Sequence, residues 1–178
     1  MRRPPLWLLV FVALAIGAAA MAAAVAIGAG DAARRPEATP TPTRLTLPAG
    51  TKLEDLRKVE VVKVVDGDTI DVRIDGKTQR VRYYGVDTPE RGARCFREAT
   101  DRNERLIGST VLLLPDARNQ DRYERLLRYI FLPDGTSVDA TLVAEGFGHA
   151  WRQDGRYKGD IVTLEDQART ADRGCLWK

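Results

Sequence analysis

Three carboxylates and two arginines carry the chemistry that this chain can do. Asp68 follows Asp66-Gly67, Asp87 and Glu90 close the stretch VRYYGVDTPE at 81–90, Arg82 lies inside that stretch, and Arg125 lies further on in DRYERLLRYIF at 121–131. Phosphodiester hydrolysis needs an activated water, an electrophilic phosphorus and positive charge beside the equatorial oxygens. Asp68 and Asp87 are of the right type to hold a cation, with the Thr88 carbonyl as a further ligand, and an all-oxygen set suits Ca²⁺ better than zinc. Glu90 would orient or deprotonate the attacking water. Arg82 and Arg125 would clamp the phosphate, because a guanidinium fork binds it bidentately and stays charged at any working pH. Without a cation, three converging carboxylates would repel one another.

Those side chains need a scaffold that folds three short stretches onto one another. Val61, Val62, Val64 and Val65 lead into the Asp66-Gly67-Asp68 turn, and Ile70, Val72 and Ile74 then alternate with Asp71, Arg73 and Asp75, the period of a half-buried strand. Asp75-Gly76 reads as a hairpin turn, after which Val81, Tyr83 and Gly85 alternate with Arg82, Tyr84 and Val86. Such a meander brings Asp68 near Asp87 and Glu90. Phe96, Ala99, Leu106 and Ile107 could line one face of a helix that Gly108 ends, Thr110–Leu114 reads as a core strand stopped by Pro115, and Asp121–Leu132 reads as a strand pair or one long strand. Asp139–Glu145 and Gly159–Arg173 read as two further helices, closed by Gly146 and Gly174. Five strands and about three helices predict an α+β chain built on a partly open oligonucleotide-binding (OB) barrel.

The motifs VDGDT at 65–69, VRYYGVDTPE at 81–90 and DRYERLLRYIF at 121–131 stand in the order and at the spacing of one known family. Over about residues 58–178 the chain resembles the staphylococcal nuclease (thermonuclease) family. The resemblance implies an OB-fold, Asp68, Asp87 and Thr88 as calcium ligands, Arg82, Glu90 and Arg125 as catalytic residues, and Tyr123 packed on the nucleotide. It also implies calcium-dependent cleavage of DNA and RNA leaving 3′-phosphate ends. The chain departs from well-known members at Glu124 and Leu126, where they carry glycines beside the arginine, and its loop after Glu90 is shorter. A barrel that binds nucleic acid or protein without catalysis is the alternative, and the intact set of Asp68, Arg82, Asp87, Glu90 and Arg125 argues against it. A purely structural calcium domain would leave both arginines without a purpose.

Residues 6–30 hold no charge over 25 positions and follow Arg2 and Arg3. They read as a signal peptide or a membrane anchor at 1–30; the run reaches the roughly 20 residues that a bilayer needs, while its small residues suit a signal peptidase. Either way the C-terminal domain is expected outside the cytoplasmic membrane, secreted or anchored, and as a monomer. Pro36, Pro40, Pro42 and Pro48 make 31–57 a semi-extended tether, with room for one helical turn between Thr51 and Arg57, before a domain at 58–178. From Lys58 onward 21 basic residues meet 21 acidic ones, so the chain's net charge of +3 resides before the domain and says nothing of nucleic-acid binding. Cys95 and Cys175 are the only cysteines, and export makes a disulfide between them the expectation. A single histidine, His149, excludes a two-histidine mechanism and a histidine-rich metal site. Trp151 and Tyr157 either stack on bases or pack in the core or rim.

Overall fold

A computed structural model describes residues 43–178, so the expectations for 1–42 lie outside the described residues. Seven strands and three α-helices follow one another as β1 Arg57–Val64, β2 Thr69–Ile74, β3 Lys77–Tyr83, β4 Val86–Asp87, α1 Phe96–Leu106, β5 Thr110–Gln120, β6 Leu126–Phe131, α2 Val138–Ala144, β7 His149–Ala150 and α3 Lys158–Thr170. Five strands close a barrel in the order β1-β2-β3-β6-β5, with β3 and β6 parallel and the other pairs antiparallel. This fits the expected OB-fold, although the barrel is closed and not partly open. The short β4 and β7 form a separate antiparallel pair in which Asp87 faces His149.

The β2–β3 hairpin turns at Asp75-Gly76, where both residues take positive φ, as a two-residue turn matched to strand twist requires. Inward positions of the strands fill the core: Ile70, Val72, Val81, Val111 and Ile130 have no exposed surface. Leu142 of α2 and Ile161 of α3 are equally enclosed, so the helices close one side of the barrel. Ser137 caps α2 by accepting from the Ala140 N–H at 3.3 Å, and all seven residues of the helix are buried. Burial on every side leaves α2 without an amphipathic period.

Three boundaries differ from the sequence reading. Residues 43–57 are not tether: the Thr43 carbonyl accepts from the Ser137 N–H at 2.8 Å and Leu45 and Leu56 are buried, while the helical turn expected between Thr51 and Arg57 is present as a 3₁₀ turn at Leu53–Asp55. Pro115 does not stop β5, because its missing N–H falls where the β5–β6 register breaks between Pro115 and Gln120. Asp121–Arg125 is a turn and not strand, which leaves β6 to begin at Leu126.

Cys95 and Cys175 are joined in a disulfide with Cα atoms 5.6 Å apart, tying the start of α1 to the end of the chain across 80 positions. Closing a loop of that length stabilises by about 4 kcal/mol on the chain-entropy account. Reduction is therefore expected to lower the melting temperature by about 10 °C, and alkylation of the unreduced protein to find no free thiol.

Asp139 in the first turn of α2 is wholly buried and accepts from the Gly85 N–H at 2.8 Å and the Ile130 N–H at 2.9 Å. Burial pushes its pKa from 3.8 up to about 6 despite those bonds. The folded state thus holds this proton more tightly than the unfolded one, so the linked stability is full below about pH 4 and is lost as pH rises through about 6, by about 3 kcal/mol. Asp139→Asn turns an amide donor toward one of the two N–H groups and is expected to be less stable throughout. Its deficit in denaturant titrations should narrow between pH 4 and 7, and a constant deficit would refute the raised pKa.

Candidate active site

Asp68 is placed by its own turn. Its N–H donates to Asp66 Oδ1 at 3.1 Å, and the Val65 N–H donates to the Thr69 carbonyl at 2.9 Å, closing a tight loop between β1 and β2. Gly67 lets Thr88 approach: a Cβ there would meet Thr88 Oγ1 at 2.7 Å. Thr88 then donates to Asp68 Oδ2 twice, from its N–H at 2.6 Å and its hydroxyl at 2.8 Å. Asn103 of α1 pins the same turn from behind, donating from Nδ2 to the Asp66 carbonyl at 2.9 Å while its Oδ1 accepts from the Tyr83 hydroxyl at 2.9 Å.

Arg82 joins the two carboxylates. Its Nε lies 3.0 Å from Asp68 Oδ1 and its Nη2 2.6 Å from Asp87 Oδ1, while Nη1 donates to the carbonyls of Tyr83 and Val86 at 2.7 and 2.5 Å. Arg82 is buried, because both faces of the β3 end are covered. Asp87, by contrast, keeps half of its side chain exposed. Asp66 beside them has its carboxyl pushed above the usual range by burial and then by the charge of Asp68.

Glu90 does not complete a three-carboxylate cluster. Among the described residues no group of three or more His, Cys, Asp or Glu side chains gathers as a metal-holding set. Glu90 sits past Pro89 in a turn that its own carbonyl closes by accepting from the Ala93 N–H at 2.9 Å, and its side chain is exposed. It lines, with Arg82, Asp87, Arg125, Tyr123 and Trp151, a cleft of about 440 Å³.

The turn before β6 contributes Asp121, Tyr123 and Arg125 to the same cleft. Asp121 accepts from the N–H groups of Tyr123 at 2.9 Å and Arg125 at 3.0 Å, and from Arg125 Nε at 2.6 Å. Burial opposes the charge of Asp121, but the hydrogen bonds from Arg125 and Tyr123 outweigh it and hold the carboxyl below its usual range. Glu124 takes φ 62° there, a left-handed conformation that glycine adopts freely. The family's glycine at this position therefore has a backbone reason, and Glu124 meets it at a cost of about 1 kcal/mol. Tyr123 stands out of this turn with 63% of its surface exposed, and the Arg122 and Arg125 guanidiniums lie 4.7 and 5.5 Å from its ring centre.

Sequence reasoning missed Arg118, which lines the same cleft, and Asp154, which holds it. Asp154 accepts from Arg118 Nε and Nη2 at 2.9 and 3.0 Å, from Trp151 Nε1 at 2.8 Å and from the Tyr84 hydroxyl at 3.1 Å. No spacing signals this cluster, since its members come from β5 and from loops up to 70 positions apart. Of the two aromatics left open, Tyr157 is buried edge-on against Tyr129 at 4.8 Å, whereas Trp151 borders the cleft. His149 Nδ1 lies 3.0 Å from Glu165 Oε1.

Residues 80–178 match the family model described as staphylococcal nuclease homologue. The chain belongs to the staphylococcal nuclease family. It is 38% identical over 120 residues to an uncharacterised endonuclease of Escherichia coli, covering 66% of this chain and 74% of that one. It is 35% identical over 138 residues to the thermonuclease of Staphylococcus hyicus, covering 72% and 80%, and 32% identical over 152 residues to endonuclease YncB of Bacillus subtilis, covering 79% and 71%. The protein is accordingly a nuclease, a phosphodiester hydrolase.

The two arginines of this nuclease are held differently, so their variants should behave differently. Arg125→Ala is expected to lower kcat/KM about a hundred- to a thousand-fold, the scale of losing one charge-stabilising donor, with melting close to the parent. Arg125→Lys should regain little, because an ammonium lacks the planar fork. Arg82→Ala should lose activity and also melt earlier, since it strands buried Asp68 without its counter-charge. Steady-state kinetics beside thermal melts would separate the two outcomes.

Proposed function

We propose that the chain is a calcium-dependent endonuclease that acts outside the cytoplasm on DNA and RNA and leaves 3′-phosphate ends. The observation that carries this reading is the pairing of Asp68 and Asp87 on one guanidinium, at the edge of a cleft shared with Glu90 and Arg125. The donor set fits the ion. Asp68, Asp87 and the Thr88 carbonyl offer only oxygens, which Ca²⁺ prefers, with water completing its usual six to eight ligands.

A bound Ca²⁺ would polarise a phosphate oxygen and offset the charge of the attacking group. The chain supplies the rest. Glu90, exposed and free of an ion pair among the described residues, takes the proton from water as its oxygen bonds to phosphorus. Arg125 has only its Nε committed to Asp121, so its Nη nitrogens are available to the phosphoryl oxygens as negative charge grows on them. Arg82 keeps one Nη2 N–H beyond those bonded to protein acceptors. The bond to the 5′-oxygen breaks, that oxygen leaves as an alcohol after gaining a proton from solvent, and the phosphate stays on the 3′ side. Backbone phosphate is what these groups recognise, and nothing among them reads a 2′-hydroxyl, which supports action on both nucleic acids.

Placement outside the cytoplasm is supported by the uncharged run at 6–30 and by the Cys95–Cys175 bridge, since disulfides persist in oxidising compartments. Protease access to the C-terminal domain in intact cells would test it.

Activity on single-stranded DNA should vanish in excess chelator and return with Ca²⁺, and mass spectrometry of the products should find 3′-phosphates. Asp87→Ala, which removes a half-exposed ligand and leaves Arg82 paired with Asp68, should raise the calcium needed for half-maximal rate about tenfold or more. Full hydrolysis in chelator would sink the metal reading.

A further inference from the structure

Helix α1 lies on the surface and buries only two of its side chains, Ala99 and Asn103. An amide in one of those two places does little for stability, since helix interiors disfavour asparagine and a leucine there would add apolar contact. Asn103 nevertheless has no exposed surface. What the position obtains instead is two matched hydrogen bonds. The Asp66 carbonyl can only accept, so Nδ2 faces it at 2.9 Å, and Oδ1 is left to accept from the Tyr83 hydroxyl at 2.9 Å. Tyr83 holds the same turn a second time, because its N–H donates to the Asp68 carbonyl at 2.8 Å. Its own carbonyl accepts from Arg82 Nη1 at 2.7 Å, and Arg82 also lies against the Asp68 carboxylate. The Asp66-Gly67-Asp68 turn is therefore tied at both backbone ends, at Asp68 by Tyr83 directly and at Asp66 through Asn103.

We propose that Asn103 and Tyr83 are positioning residues for the hydrolysis, a clamp that sets the Asp68 carboxylate as a cation ligand before any ion arrives. This rests on the calcium-dependent nuclease reading and adds the residues that preorganise it. The turn needs such ties for two reasons. Gly67 gives its backbone more freedom than any other residue would, and the carboxylates on either side of it repel one another. A turn held in one conformation loses little freedom when its carboxylate takes an ion, whereas a loose one must be ordered at the moment of binding. Asn103 lies outside the cleft lining and acts through the turn alone. Partners one step behind a metal ligand commonly carry about ten- to a hundredfold of metal affinity, and here that step runs through the backbone carbonyls.

The test titrates the full-length chain with Ca²⁺ alone in a calorimeter, beside thermal melts and steady-state kinetics. Asn103→Leu is expected to weaken calcium binding about tenfold, and Tyr83→Phe, which leaves Nδ2 on the Asp66 carbonyl, about threefold. Saturating Ca²⁺ should bring kcat of both back to within about threefold of the parent. The double variant Tyr83→Phe/Asn103→Leu removes both buried polar partners, so it should melt closer to the parent than Asn103→Leu while binding calcium as weakly. Val111→Ala, a core truncation on β5, should melt earlier with calcium affinity unchanged. Affinity that follows melting temperature across all the variants would show general loosening, and unchanged affinity in Asn103→Leu would show an idle clamp; each overturns the positioning role. Should Asn103→Leu fail to fold, Tyr83→Phe, which loses a single oxygen, decides in its place. A parent that cleaves without binding Ca²⁺ overturns the calcium reading alone. The clamp is then judged on kcat/KM, which Asn103→Leu should lower about tenfold and which, if unchanged, overturns it.

Discussion

The site depends on one buried cation. Arg82 keeps only a tenth of its side chain exposed, and a guanidinium so placed must be matched by acceptors, since an unpaired buried charge costs several kcal/mol. Its partners come from three short pieces of chain: Asp68 in the turn after β1, the Tyr83 carbonyl at the end of β3, and Val86 with Asp87 in β4. Satisfying Arg82 therefore draws both candidate metal ligands together before any ion is bound. Other contacts defend the arrangement from outside, Thr88 and Thr69 from the side of Asp68 and Asn103 from behind the turn. The β4–β7 pair then holds Asp87 at the cleft edge.

Much of this was legible where local pattern and burial agree. Ile70, Val72 and Ile74 alternate because that face of β2 fills the core, although Thr69 and Asp71 on the other face are covered too, and Asp75-Gly76 turns because those residues accept positive φ. Arg82 shows where the rule fails. Alternation puts it on the face opposite Val81 and Tyr83, and period alone does not tell that this face is covered as well. Pro115 fails the rule from the other side: a proline breaks a strand only where its N–H is wanted, and there the ladder is already irregular. The apolar residues of 43–56 obey no period at all, because Leu45, Leu47, Leu53 and Leu56 reach the barrel from an irregular strap.

What stayed hidden is mostly polar and long-range. Asp139, Asn103 and Asp154 each look like ordinary surface residues of a helix or loop. Their meaning lies in partners 54, 37 and 70 positions away, such as Gly85 N–H, the Asp66 carbonyl and the Tyr84 hydroxyl. Buried polar groups are satisfied by the folded chain as a whole, so a single sequence gives their type and not their match. The motif resemblance supplied the catalytic register for the same reason, carrying long-range information that composition and period lack.

The two arginines illustrate how one residue type takes two duties. Arg82 has all but one Nη2 N–H turned to protein acceptors and organises the resting site, so much of its interaction energy is present before substrate arrives. Only interactions that strengthen toward the transition state speed the chemical step, and Arg82 has little left to strengthen. Arg125 is nearly the reverse. One carboxylate, Asp121, orients it through Nε and through its backbone, while more than a quarter of the side chain stays exposed toward the cleft. The turn that aims it keeps Glu124 in a left-handed conformation, a small strain of the kind that persists where the surrounding bonds overdetermine it. Asp121 provides that overdetermination with three hydrogen bonds across five residues. Arg125 thus keeps its Nη nitrogens unspent at the cleft, and on the proposed mechanism the larger share of the differential stabilisation would fall to it.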